Sequence, residues 1–416
     1  MAEGIRWAFA ALLVLETAIE GTLGWLNLRR SAKEGAAVPQ ALVSSYTAEE
    51  ARRSQAYVRA RGRLDLLSLL LGALLLSGVM LSGALGGWEA WIGQHLASWA
   101  QPHRFVVFLV GLTIPFGLLG LPLSLYRTFG IEARFGFNKL TFALWLRDRL
   151  KGLALAAVLG LPLLYAVWGF MALTGPVWWL WLFAFLAVWQ LILFWLYPAV
   201  IARWFNRFTP LAEGELRSRV ESLAIKAGFR MGGIFVMDAG QRSTHSNAYF
   251  TGLVRPRIVL FDTLLKSMST DETEAVLAHE IGHWRGGHIR RMILLTLALQ
   301  LAGLYILSWA IAWPPLFAAF GLSGPSPYGA VALAALAGGT ATFWLGPLLA
   351  RLSRRHEYEA DAYSRSLVGR SDALKTALIK LGRENLTNLA PHPWYSAYHY
   401  SHPTLPERLA ALEANQ

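Results

Sequence analysis

The chain has 416 residues, 55% of them hydrophobic and only 15% charged, with a mean hydropathy of +0.40. Soluble domains carry about a quarter charged residues, so the composition excludes an ordinary soluble enzyme and points to a polytopic membrane protein. The net charge of +12 collects in loops between apolar runs, which is membrane topology rather than a nucleic-acid surface. The absence of cysteine excludes disulfides, thiolate metal sites and a cysteine nucleophile.

Seven stretches are apolar over the ~20 residues that a bilayer requires. They fall near 5–28, 64–85, 105–126, 153–173, 178–202, 292–313 and 331–352. Several of the 18 Trp stand near their ends, as interfacial anchors do. Glu16 and Glu20 interrupt the first stretch, which argues against a cleaved signal peptide. One turn apart, these acids face either protein and water or the outer interface; the residues leave both open. The loops alternate in charge. Segments 29–63, 127–151, 203–291 and the tail from Arg351 are basic, whereas 87–103, 174–176 and 314–329 carry no Lys or Arg. By the positive-inside rule the N-terminus lies outside, and the long 206–291 segment and the C-terminus are cytoplasmic. The expected division is therefore 1–205 for five spans, 206–291 for a cytoplasmic segment, 292–352 for two spans and 353–416 for a C-terminal segment.

Within the cytoplasmic segment, 211–228 has the apolar spacing of an amphipathic helix, and 233–238, 246–253 and 258–261 read as short strands. Ser269-Thr-Asp-Glu272 reads as an N-cap with an acidic first turn. The helix it opens carries His279-Glu280-Ile281-Gly282-His283, an HExxH pattern. Four residues apart on a helix, the two imidazoles point the same way and can hold one zinc ion, while Glu280 stands beside them as a base for the attacking water.

A catalytic zinc takes three protein ligands and one open position. Glu357, in Arg354-Arg-His-Glu-Tyr-Glu-Ala-Asp361, is the expected third ligand, with Glu359 or His402 in reserve. Asp361, one turn on, can accept a proton from the far nitrogen of a ligating histidine. A solvated charged helix end is the competing reading of this run taken alone; HExxH and the shared cytoplasmic side tip the balance towards the ligand. His288, five residues past His283, lies too far round the helix for the same metal, and both it and His356 are expected at a surface or interface. The donor-rich tail 395–408 includes His399, His402 and Arg408; it reads equally as oxyanion stabilisation or as a capped helix beginning near Pro406.

Together with Ser54-Gln-Ala-Tyr57, Ile131-Glu132, Gly136-Phe-Asn-Lys139, Asn206-Arg-Phe-Thr-Pro-Leu211, His245-Ser-Asn-Ala-Tyr-Phe250 and Tyr398-His-Tyr-Ser-His-Pro-Thr-Leu-Pro-Glu-Arg-Leu409, these motifs resemble the type I CAAX prenyl proteases along nearly the whole chain. The resemblance implies an α-helical multi-pass membrane protein. Its seven transmembrane helices enclose a chamber, with a cytoplasmic zinc-metalloprotease domain containing a small β-sheet. It carries the zinc ligands onto His279, His283 and Glu357, the general base onto Glu280 and the supporting acid onto Asp361. Substrate backbone would lie along Asn247 and Ala248, and His402 and Arg408 would act in the transition state or in positioning substrate. The implied function is hydrolysis of a peptide bond near the C-terminus of prenylated CAAX-type or other membrane-associated polypeptides, with one Zn2+ per chain, a bilayer and no nucleic acid. Two alternatives stay open: a quality-control zinc protease without prenyl substrates, and a non-catalytic membrane scaffold stabilised by zinc. The Ala-, Leu-, Arg- and Gly-rich composition has a prokaryotic character, so the expected host is a bacterial inner membrane, or the endoplasmic reticulum in a eukaryote.

Overall fold

The computed structural model describes residues 1–33, 38–228, 231–251 and 257–414. Among them, seven helices are long and apolar enough to cross a membrane: Ala2–Lys33, Ala48–Leu81, Gln101–Glu132, Phe142–Leu173, Gly175–Phe205, His288–Ala310 and Pro327–Val368. Their outward faces carry Trp7, Leu70, Leu118, Leu153, Trp195 and Leu294, all exposed. Apolar surface on this scale suits acyl chains, not water.

The helices used below are α1 (Ala2–Lys33), α2 (Ala48–Leu81), α3 (Trp178–Leu196), α4 (Glu215–Lys226), α5 (Thr270–Arg285), α6 (His288–Ala310), α7 (Gly346–Val368) and α8 (Leu405–Ala414). Each of the seven sequence-predicted stretches falls largely within one span. The second was expected to reach residue 85, but α2 stops at Leu81, because Gly83 adopts a φ of +86° and turns the chain. The last differs more. α7 does not end at residue 352 but runs on to Val368, where Gly369, at φ +83°, caps it in the left-handed region. No Gly or Pro interrupts 348–368, and Arg355 Nε lies 2.9 Å from Glu359 Oε1 one turn on, so nothing stops the helix. The domain boundary drawn at 352 thus lies inside one helix, which carries the end of the seventh span and Glu357 together.

The segment between the fifth and sixth spans folds around a four-stranded sheet of order β1-β2-β4-β3. Its strands are β1 (Phe208–Pro210), β2 (Ile234–Met237), β3 (Ala248–Thr251) and β4 (Arg257–Phe261). β1–β2 and β3–β4 are antiparallel, and β2–β4 is parallel. β1 had no counterpart in the sequence reading; it is three residues long and ends in proline, tolerable because it is an edge strand. Of the 246–253 strand expectation, Gly252 and Leu253 lie outside the described residues. β4 alternates as a two-sided strand must: Ile258 and Leu260 join the core with Val220 and Leu223 of α4 and Leu277 and Ile281 of α5, while Val259 faces Met237 and Ala239. α5 starts at Ser269, whose hydroxyl and backbone form a reciprocal capping box with Glu272.

Polar and ring contacts tie the C-terminal segment and the sheet segment to the membrane helices. Ser31 Oγ donates to Gln55 Oε1 at 2.6 Å, Gln55 Nε2 to Asn388 Oδ1 at 3.3 Å, and Asn388 Nδ2 to Asn27 Oδ1 at 3.2 Å. This buried chain joins α1, α2 and the C-terminal segment. Arg242 binds Asp148 and Asn206, and His245 stacks on Phe137 with ring centroids 4.1 Å apart. A fully satisfied buried network of this kind fixes one relative placement of the elements it joins.

Candidate metal centre

α5 supplies the first side chains. Helical spacing puts His279 and His283 on one face, with Nε2 atoms 3.1 Å apart. Against them runs α7, held close because Gly282 has no side chain. A Cβ there would sit 2.9 Å from Ala360 Cα and 3.0 Å from its carbonyl oxygen. Ser364 Oγ adds a 2.8 Å hydrogen bond to the Ala275 carbonyl. This approach brings Glu357 to the histidines, Oε1 lying 3.2 Å from His283 Nε2 and Oε2 3.6 Å from His279 Nε2.

His279, His283 and Glu357 each offer one donor atom, all within 4.8 Å of one another. Glu357 is buried, and its Oε2 makes no hydrogen bond among the described residues. A buried carboxylate oxygen without a hydrogen bond is costly, and two imidazole nitrogens aimed at one point need something to share. Two imidazoles and a carboxylate are also the donor set that borderline divalent transition metals favour. The three residues therefore fit a metal ion.

The far sides of these ligands are also supported. His279 Nδ1 lies 2.8 Å from Asp361 Oδ1, one turn beyond Glu357 on α7. Arg408 of α8 grips Asp361 with both arms, Nε to Oδ2 at 2.9 Å and Nη2 to Oδ1 at 2.6 Å. Its Nη1 stands 3.6 Å from Glu357 Oε2. His402 places Nε2 3.3 Å from Glu357 Oε1 with most of its ring exposed. The tail forms the capped helix α8, opened by Thr404, whose backbone N–H bonds Glu407 Oε2, and it brings Arg408 to the site.

Asn247, Ala248, Glu280, the two α5 histidines, Glu357, His402 and Arg408 line one cavity of about 350 Å³. Burial pushes the Glu280 carboxyl up to about 7. Burial also lowers the His279 imidazole, favouring the neutral form that a metal ligand needs. For His283 burial pulls down as well, but the Glu357 carboxylate beside it outweighs this and raises it. β3 is an edge strand, paired only with β4 among the described residues. Phe261 N–H donates to the Asn247 carbonyl, so Asn247 and, by alternation, Tyr249 bond towards β4, while the Ala248 backbone groups turn to the other side. Asn247 Oδ1 accepts from Ala248 N–H at 2.8 Å, a local turn-type bond, and its Nδ2 makes no hydrogen bond among the described residues.

Two expectations are corrected. His288 and His356 are not at the surface; both are buried. α5 ends at Arg285, Gly287 reverses the chain with a φ of +65°, and α6 starts at His288, which points back at His283. Five residues along a continuous helix would put His288 out of reach of His283; the Gly286-Gly287 pair, a turn signal in the sequence, ends the helix and brings it back. Glu359, held in reserve as a ligand, bonds His288 and Arg355 instead. Glu20 lies 3.2 Å from His399, so it faces protein, and Glu16 Oε2 is buried without a hydrogen-bond partner among the described residues.

Residues 27–207 match the family model described as CAAX prenyl protease N-terminal, five membrane helices, and residues 210–416 match that of peptidase family M48. CAAX prenyl protease 1 of Saccharomyces cerevisiae is 42% identical over 337 residues, covering 76% of this chain and 72% of the yeast protein. The CAAX prenyl protease 1 homolog of Arabidopsis thaliana is 34% identical over 408 residues, 94% of this chain and 93% of the plant protein. The crystal structure of S. mikatae Ste24p superposes with a TM-score of 0.91 at 33% identity, covering 98% of this chain and 99% of that one. Seven spans, a His-His-Glu cluster with a glutamate beside it, and likeness along the whole chain lead to one conclusion: the chain belongs to the CAAX prenyl protease 1 group of peptidase family M48, as a multi-pass membrane metalloendopeptidase.

Proposed function

We propose that the chain is a zinc endopeptidase that cleaves prenylated CAAX-type polypeptides near their C-terminus. The observation that carries this reading is a single cavity lined by the three ligand candidates, Glu280 and the open edge of β3. The relatives' names, CAAX prenyl protease 1, supply the substrate class.

His279, His283 and Glu357 would hold zinc, which when bound polarises a carbonyl and acidifies water. An extended peptide adds to β3 as a further strand, where main-chain hydrogen bonds hold it whatever its sequence. Ala248 presents the backbone groups it pairs with, and the Asn247 amide supplies a donor beside them. Glu280 takes the proton of the attacking water and hands it to the departing amine; a carboxyl held up near 7 by burial suits both halves of that task. His402, largely exposed at the cavity wall with its Nε2 3.3 Å from Glu357 Oε1, would turn to donate to the substrate's reacting oxygen. Arg408 balances the charge of Asp361 and Glu357 and keeps Asp361 in place for His279.

A chamber within the membrane accords with how little the spans bury: no more than 17% of any apolar window, and none for Phe142–Leu173 and His288–Ala310. Helices packed into a solid bundle would each hide a full stripe. On the charge alternation, the metal site faces the cytoplasm and the N-terminus lies on the other side. The reading is tested by incubating purified protein with a farnesylated CAAX peptide and its unprenylated twin, with mass spectrometry locating the cut. Cleavage of the farnesylated peptide, lost in Glu280→Ala, supports it; no cleavage of either, from zinc-loaded protein, rejects it.

A further inference from the structure

We propose that His288 and Glu359 are positioning residues for the metal-ligating ring of His283, forming a carboxylate–imidazole–imidazole chain that fixes its tautomer and orientation. This rests on the reading of His279, His283 and Glu357 as metal ligands.

The argument follows the protons. His283 turns Nε2 towards Glu357 and His279. A neutral imidazole that gives its Nε2 lone pair to a cation carries its proton on Nδ1, and that N–H needs an acceptor. The atom 3.0 Å from it is Nδ1 of His288. His288 must then present a lone pair there and carry its own proton on Nε2. That Nε2 lies 3.0 Å from Glu359 Oε2, a carboxylate oxygen that can only accept. Every contact in the chain then has one donor and one acceptor. The other tautomer of His288 would set two N–H groups face to face and leave a lone pair against a carboxylate.

The surroundings hold this arrangement. His288 is buried, and His356 stacks on it at 4.1 Å between centroids and 10° between planes. Glu359 is steadied by Arg355 at 2.9 Å and by Arg291 at 3.6 Å. Gly286 leaves room for the ring, since a Cβ there would lie 2.4 Å from His288 Nε2. α7 thus supports both histidine ligands, His279 directly through Asp361 and His283 through Glu359 and the interposed His288.

The test uses full-length protein loaded with zinc, or with cobalt as a spectroscopic probe. His288→Leu, which keeps bulk but no polar atom, is expected to release zinc to a chelator about 10- to 100-fold faster. It should also shift the cobalt ligand-field bands and lower kcat with KM little changed. His288→Gln can accept from His283 and donate to Glu359, and should recover most of both losses. Glu359→Ala, at a partly exposed position, and Gly286→Ala, which displaces the ring without removing it, should each move zinc release in the direction of His288→Leu. Zinc release and kcat within twofold of the parent for His288→Leu would overturn the proposal. So would a His288→Gln no better than the leucine variant at an unchanged melting temperature, because the residue would then only fill space. If His288→Leu does not fold, unchanged zinc release in Glu359→Ala and Gly286→Ala overturns it. Glu357→Ala is the control for the underlying reading: if that variant keeps its zinc, the metal assignment fails first and the chain falls with it.

Discussion

At Glu357 one carboxylate oxygen lies between His283 and His402, and the other is buried without a hydrogen bond. Leaving such an atom unpaired costs about 1–3 kcal/mol, which a cation would offset. His279→Ala, His283→Ala and Glu357→Ala should each strip the protein of zinc, read by elemental analysis, and abolish hydrolysis. Glu280→Gln should keep its zinc and lose hydrolysis, because Glu280 moves a proton and is not a ligand. Asp361→Asn should weaken zinc binding by about 10- to 100-fold without removing the site; full retention in a chelator titration would deny it a role in holding His279. Asn247 bonds its own neighbour's N–H and also lines the cavity. Losing one or two hydrogen bonds to substrate in Asn247→Ala should lower kcat/KM by about 10- to 100-fold with melting temperature unchanged. Normal kinetics would leave only the local turn bond.

Among the elements, the contact that makes the site is that of α5 with α7. Two helices come this close only where a side chain is missing, and Gly282 opposite Ala360 provides the gap. The obstacle to a larger residue is backbone, which cannot swing aside as a side-chain tip can. Gly282→Ala should therefore push the helices apart, costing about 1–3 kcal/mol of stability and loosening zinc as Glu357 withdraws from the histidines. A thermal melt and a chelator assay both unaffected would mean that α7 is held by the rest of its interface. The sheet matters through its edge. β3 lies last in the order β1-β2-β4-β3, which is what leaves the Ala248 backbone on an outer edge.

For the molecule as a whole, the charge pattern predicts one sidedness. The chain contains no cysteine, so single introduced thiols report without background. Glu49→Cys and Glu413→Cys should label from the same face of sealed vesicles, and Ser98→Cys from the other. Labelling of the first two from opposite faces would overturn the orientation and with it the cytoplasmic placement of the metal site.

What the sequence determined by itself was local. Run length marks a span, capping residues mark the start of α5, a short apolar run after Pro256 marks β4, and four-residue spacing pairs His279 with His283, because each depends on contacts within a turn or two of chain. The residues around Glu357 taken alone leave a ligand and a solvated helix end in competition, and only HExxH on the same expected side of the membrane tips the choice to the ligand. Tertiary structure decided the rest. Glu357 meets the histidines because α5 and α7 approach through Gly282, and Asp361 is held by Arg408 because α8 folds back on α7. His288 turns inward because the helix breaks at Gly286-Gly287, a reversal that five-residue spacing on a straight helix places on the wrong side. The first two pairings join residues far apart in the chain, and their geometry comes from how helices cross, which no local pattern encodes.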